Sequence, residues 1–193
     1  SEGINDLMSL DPSGDTYTVL QWVASDTDSF NAYDDVTKKV GWSGFCDINI
    51  STKNIIQTPG SKLSITNAIK SNLGNTSGKF AIHFPYDTNR TAYFGSGTTD
   101  IITLDNNTSH IVEHYKLAWT SYALVVTNGD LYLHYNFPPE HESTIGNTKS
   151  LLMKNITTFK FMGAGRTIRF KICKQEPISE DVNITACKEK AVF

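Results

Sequence analysis

The stretch "ALVVTNGDLYLHY", residues 123–135, constrains the fold more than any other. Two runs rich in β-branched and aromatic residues flank Asn128-Gly129. That dipeptide favours positive φ at both central positions of a two-residue turn, the type I′ geometry whose twist suits paired antiparallel strands. The spacing predicts a tight hairpin. A second hairpin is predicted in "ITTFKFMGAGRTIRFKIC", residues 156–173. Phe159 and Phe161 alternate with Lys160, Gly163-Ala164-Gly165 turns the chain, and Ile168, Phe170 and Ile172 alternate with Arg169 and Lys171. One face is apolar and the other basic, as in an antiparallel sheet with one wet side. "KFAIHFPY" and "DIITL" are further strand candidates.

Helical signals are fewer. "SDTDSFNAYDDVTKKV" suits a short helix behind an Asp or Ser cap. "SKLSITNAIKSNLG" places Leu63, Ala68, Ile69 and Leu73 at partly helical spacing, with Gly74 as the stop. The long polar stretch "NFPPEHESTIGNTK" reads as a loop. The expected fold is α+β and mainly antiparallel β, in one domain over residues 1–193. A chain of 193 residues can bury a substantial core, and 39% hydrophobic against 19% charged residues suits a globular protein. The net charge of −3 does not imply contact with nucleic acid, which needs many Lys and Arg against phosphate. No apolar run approaches the roughly 20 residues of a membrane-spanning helix. "SEGINDLMSLDPSG" lacks the basic start and apolar stretch of a signal peptide, so an exported form is expected to have lost its targeting segment ahead of Ser1.

Of three cysteines, Cys173 and Cys187 are the expected pair. They are near each other in sequence, and "KQEPISEDVNITA" between them can form a loop, residues 173–187, at the C-terminus. Closing about 15 residues stabilises by roughly 3 kcal/mol through chain entropy, and such bonds belong to oxidising compartments. Cys46, in the apolar "GWSGFCDINI", reads as a buried free thiol.

Motifs for chemistry are weak. "HIVEH" has the H-x-x-E-H spacing in which His110 and His114 would share a helix face as zinc ligands, with Glu113 acting on bound water. Its neighbours read as turn and strand, which favours solvent-facing histidines over a zinc-dependent hydrolase. "GWSGF" misses the nucleophile-elbow pattern, because Phe45 stands where glycine is required. Gly95-Ser96-Gly97 lacks the Lys-Ser/Thr pair of a phosphate loop. "DTD" at 26–28, with Asp34 and Asp35, is better read as a solvated acidic turn than as a calcium site, since Phe30 interrupts the alternating oxygen ligands. Trp22, Trp42 and Trp119 are candidate stacking faces for sugars in an adhesin or glycan-binding domain, though large aromatics more often form core. No metal site, catalytic residue or cofactor is expected from these patterns.

Sequons are more informative. Four have an acidic residue two positions before the acceptor: "DINIS" at Asn49, "DTNRT" at Asn89, "DNNTS" at Asn107 and "DVNIT" at Asn183. That exceeds what random placement gives at this composition. The acidic requirement resembles the acceptor preference of bacterial oligosaccharyltransferases, and it agrees with the disulfide on a periplasmic location. These four are the candidate N-glycosylation sites. Asn49 is the one expected to fall in a strand.

The segments "TYTVLQWVASDTDSFNAYDDVTKKVGWSGF", "YKLAWTSYALVVTNGDLYLHYNF", "LLMKNITTFKF" and "IRFKICKQE…CKEKAVF" together resemble prepilin-type proteins of epsilonproteobacteria. That group is similar to minor pseudopilins of type II secretion systems, the J-type above all, and to minor type IV pilins. The match covers most of residues 17–193 and is weakest over 51–110. The resemblance implies a pilin-like head domain lacking its N-terminal hydrophobic helix. It also implies a structural subunit in the pseudopilus or pilus, serving protein secretion or DNA uptake. Its partners would be other minor pilins or pseudopilins, and the missing helix would anchor it in the inner membrane. In such pilins a C-terminal disulfide loop staples the head. Cys46 departs from the pattern, which has an aliphatic residue there.

Overall fold

The structure is a computed structural model that describes residues 19–108, 110–164, 167–179 and 182–192. In chain order its elements are β1 (Val19–Val23), α1 (Thr27–Asn31), β2 (Tyr33–Asp34), β3 (Lys39–Val40), β4 (Ile55–Gln57) and α2 (Leu63–Asn72). Then come β5 (Phe80–His83), β6 (Tyr93–Ser96), β7 (Ile101–Leu104), β8 (Lys116–Ala118), β9 (Ser121–Thr127) and β10 (Asp130–Phe137). The last are β11 (Lys149–Met153), β12 (Ile156–Ala164), β13 (Thr167–Ser179) and β14 (Val182–Val192). The described residues are mostly antiparallel β, 49% of them in strands or bridges and 9% in helices. No described helix is long and apolar enough to cross a membrane.

The chain forms two compact units, one holding residues 22–122 and 135–146 and the other the remainder. The division falls inside β1, β9 and β10.

The unit of residues 22–122 and 135–146 contains a five-stranded sheet in the order β4-β7-β6-β5-β8 and the small β2-β3 pair. Its core gathers Trp42, Cys46, Ile56, Leu63, Phe80, Ile82, Phe84, Ile102, Leu104, Tyr115, Leu117 and Trp119. The β6–β7 pairing explains the glycines of "GSG". A Cβ on Gly97 would lie 2.2 Å from the Ile101 carbonyl oxygen, and one on Gly95 would lie 2.6 Å from that of Thr103. Close backbone approach accounts for both glycines.

α1 starts at Asp26, whose side chain accepts from the Ser29 N–H at 3.1 Å. α2 has no side-chain cap. The N–H groups of Leu63 and Ser64 instead donate to the carbonyls of Thr99 and Thr98, each at 2.9 Å, so a neighbouring loop satisfies donors that a cap would otherwise meet. Gly74 follows the helix with φ of 83°, as a terminating residue should. The buried face differs from the one the aliphatic spacing suggests. Leu63, Thr66 and Lys70 are buried, whereas Ala68 and Leu73 are exposed. The ammonium of Lys70 donates to the carbonyls of Ser77 and Lys79, tying the following loop to the helix. Burial pushes the lysine down from its ordinary pKa.

The other unit is built of longer strands. Asn128 and Gly129 have φ of 52° and 77°, as a type I′ turn requires, and they join β9 to β10 in the order β1-β9-β10-β11. A three-stranded sheet follows in the order β12-β13-β14. Phe159 pairs with Ile172 and Phe161 with Phe170 on one face, while Lys160 pairs with Lys171 and Met162 with Arg169 on the other. The alternation of the sequence is thus the register of the sheet. Gly165 of the expected turn lies outside the described residues, as does the segment before Val19. Leu131, Ile156 and Phe159 form the buried core of this unit, with Leu20, Leu124, Val126, Met153, Phe161 and Ile172 packed against them.

Candidate functional site

The Cys173–Cys187 disulfide is present. It lies across a rung of the β13–β14 pair, with Cα atoms 4.0 Å apart, near the narrow spacing of an antiparallel ladder. The segment between the cysteines is largely strand and not a loop. Gln175 pairs with Thr185, Glu176 with Ile184 and Pro177 with Asn183, and residues 180–181 lie outside the described residues.

β12 pairs with β13 only as far as Lys174. Beyond Gln175 the sheet therefore continues as a two-stranded ribbon of β13 and β14. Pro177 is tolerated there because β13 has a neighbour on one side only. Ile178, Val182 and Ile184 near the end of this ribbon are 62%, 52% and 53% exposed. β14 is an edge strand whose residues 182–190 are all exposed. On the basic face, Lys171 forms an ion pair with Glu189 of β14 at 3.1 Å, so that face is partly neutralised within its own sheet.

The sequon asparagines are exposed but stand in different settings. Asn49 is in a turn and not in the expected strand. Its N–H donates to Asp47 at 3.0 Å, and the N–H of Asn89 donates to Asp87 at 3.0 Å in the same way. Both are Asx turns, in which a carboxylate caps the backbone two residues on. Burial draws the Asp87 carboxyl up, but the Asn89 N–H, the Tyr93 and Thr91 hydroxyls and nearby His110 hold it below the usual carboxylate range. Asp105, before Asn107, instead receives Lys79 at 2.6 Å. Asn183 lies within β14, and Asp181 is outside the described residues.

"HIVEH" is not helical. His110 shares a 3.3 Å contact between its Nε2 and the Pro85 carbonyl, while His114 forms an isolated bridge with Phe45. The helix face that would align the two imidazoles is absent. Among the described residues no three His, Cys, Asp or Glu side chains converge closely enough to hold a metal ion. Ser43 of "GWSGF" belongs to a hydroxyl network in which Thr58 lies 3.1 Å from Ser43, 2.8 Å from Ser61 and 2.7 Å from the Tyr115 hydroxyl.

Around "DTD", Asp26 is buried as the helix cap, and its carbonyl accepts the Trp42 indole N–H at 2.7 Å. Asp34 is engaged by Lys62, by the Thr37 hydroxyl at 2.8 Å and by the Val36 N–H at 3.0 Å. The Lys62 ammonium, first among these, holds the Asp34 carboxyl far below the usual range. Trp42 and Trp119 are core residues, and Trp22 is half-buried and stacked on Tyr122 with ring centroids 5.7 Å apart. Cys46 is free and buried, its sulfur 3.4 Å from the Ser51 hydroxyl, and burial pushes the thiol up.

Sequence reasoning assigned no role to Lys70, since a lysine at a helical position reads as solvent-facing. Compared with known proteins, the chain matches no family model, no curated protein and no solved structure.

Proposed function

We propose that this chain is the head of a prepilin-type subunit, a non-catalytic minor pilin or pseudopilin that assembles with other such subunits in an envelope filament for protein secretion or DNA uptake. The full-length protein would be held in the inner membrane by an apolar helix ahead of these residues, with the head in the periplasm. The order of four segments supports the family. The observation that carries the assembly role is the disulfide-stapled ribbon. Among the described residues it offers the unpaired backbone of an edge strand beside exposed Ile178, Val182 and Ile184, features that invite strand addition by a partner and that isolated monomers usually suppress. The staple keeps the ribbon in register without a core beneath its end.

A photo-crosslinking residue at Thr185 of β14, introduced in the native host, tests this. The expected product is a covalent adduct with another prepilin-type protein. Adducts exclusively with proteins that lack a leader and apolar helix would refute the assignment. So would a gene in which no leader followed by about 20 apolar residues precedes Ser1.

A further inference from the structure

A cleft of about 520 Å³ lined by polar residue types lies beside α2. It is lined by Asn67, Lys70 and Ser71 of that helix, by the following loop including Asn75, and by Thr98 and Thr103 from the β6–β7 region. Its volume is in the range of small-ligand sites. The lining is unusual in its chemistry. Amides, hydroxyls and glycines make up the wall, Lys70 is its one charged side chain, and no carboxylate or aromatic ring contributes.

Two groups in the wall have unspent bonding capacity. Lys70 is 2% exposed, and two of its three N–H bonds go to the carbonyls of Ser77 and Lys79. Among the described residues no carboxylate pairs with it. A buried ammonium without a counter-charge is costly, and an anion in the adjacent cleft would offset that cost. Asn67 donates through Nδ2 to the Gly97 carbonyl at 2.8 Å, but its Oδ1 is buried with no partner. This acceptor is closed to solvent as the side chain stands, and a ligand hydroxyl would satisfy it once Asn67 turns toward the cleft.

We propose that this cleft binds an acidic monosaccharide, a sugar ring carrying one carboxylate or phosphate. The anionic group would lie against Lys70, and the ring hydroxyls against Asn67, Ser71, Asn75, Thr98 and Thr103. A neutral sugar would leave the ammonium unpaired, and a bare anion would leave the amides and hydroxyls unused. This activity is separate from filament assembly, since none of its residues lies on β13 or β14.

The test is titration of the isotope-labelled protein followed by NMR, with glucuronate, glucose 6-phosphate, glucose and acetate as probes. Expected are saturable shifts confined to α2 and residues 75–78 and 96–103. At least one acidic sugar should bind about tenfold or more tightly than glucose and than acetate. Which of the two acidic probes binds more tightly identifies carboxylate or phosphate as the preferred group. Because Lys70→Met removes bonds that tie down the loop, the decisive variant is Ser71→Asp, at an exposed position. It places a repelling carboxylate in the wall, and binding should weaken about tenfold while the fold is retained, with only the modest stability loss of an acid in the last helical turn. Equal affinity for glucose and the acidic sugars, affinity for acetate matching theirs, no saturable shifts at millimolar concentrations, or binding indifferent to Ser71→Asp would each overturn the proposal.

Discussion

The unit around Trp42 and the unit carrying the C-terminal hairpin are held together by different means. The first has short strands, of three or four residues in its five-stranded sheet, yet a core of twelve buried residues. The second has strands of up to 13 residues, yet three residues in its buried core, and it fastens its edge strand with a covalent bond. Apolar burial dominates where side chains interlock on several sides. Backbone pairing and a cross-link take over where a strand has solvent around it. The lesson is that strand length is a poor guide to where stability resides.

That contrast makes three measurements informative. The largest effect is expected from Phe80→Ala, in the centre of the larger core, which should cost about 3–5 kcal/mol in chemical denaturation. Hydrogen exchange should show protection falling across β5, β6 and β7. A cost no greater than that of truncating exposed Ile184 would erase the distinction between the units. Next is replacement of both Cys173 and Cys187 by serine. The bond closes a sequence separation of 14, so up to about 3 kcal/mol is at stake through chain entropy. The expected signature is rapid exchange and proteolysis in β14, with protection over β5–β7 retained. Simultaneous loss of both would mean that the two regions unfold together.

The smallest effect is one of acidity. Burial pushes His83 below its ordinary pKa, against opposing contributions from the Pro139 backbone and Asp87. The unfolded chain then binds a proton that the folded one refuses, so stability falls as pH drops below about 6.5 towards the folded value. Denaturation midpoints should decline over that interval, and His83→Gln should flatten the decline. Asp34 acts lower on the scale. Its depressed carboxyl contributes stability above about pH 3.9, and that contribution is lost on further acidification through the folded value.

Legibility in the sequence followed the same division. Asn128-Gly129 and the alternation of Phe159, Phe161, Phe170 and Ile172 announced their hairpins because period-two patterning and turn chemistry are local. Asp26 was readable as a cap for the same reason. The strand from Val182 was not. Glu176, Pro177, Glu180 and Asp181 resemble a loop, and a fully exposed edge strand carries no burial signal to contradict them. α2 misled differently. Its inward face presents Thr66 and Lys70 because neighbouring backbone carbonyls reward a buried cation, a tertiary fact no helical periodicity contains. The cleft was invisible for the same reason, as its wall is assembled from α2, the following loop and the β6–β7 region. Asn49 was misplaced because "FCDINI" has strand-like composition, while Asp47 takes the local amide and bends the chain.

The two Asx turns bear on timing. Each acid that would flag its asparagine to a glycan-transferring enzyme is already occupied, Asp47 by one amide and Asp87 by another. A transferase that had to grip that acid would compete with the finished fold, and would win most readily on a chain not yet folded. Sugar at these two positions would act as a clock, recording whether modification outran closure of the chain, and a late enzyme would leave both bare.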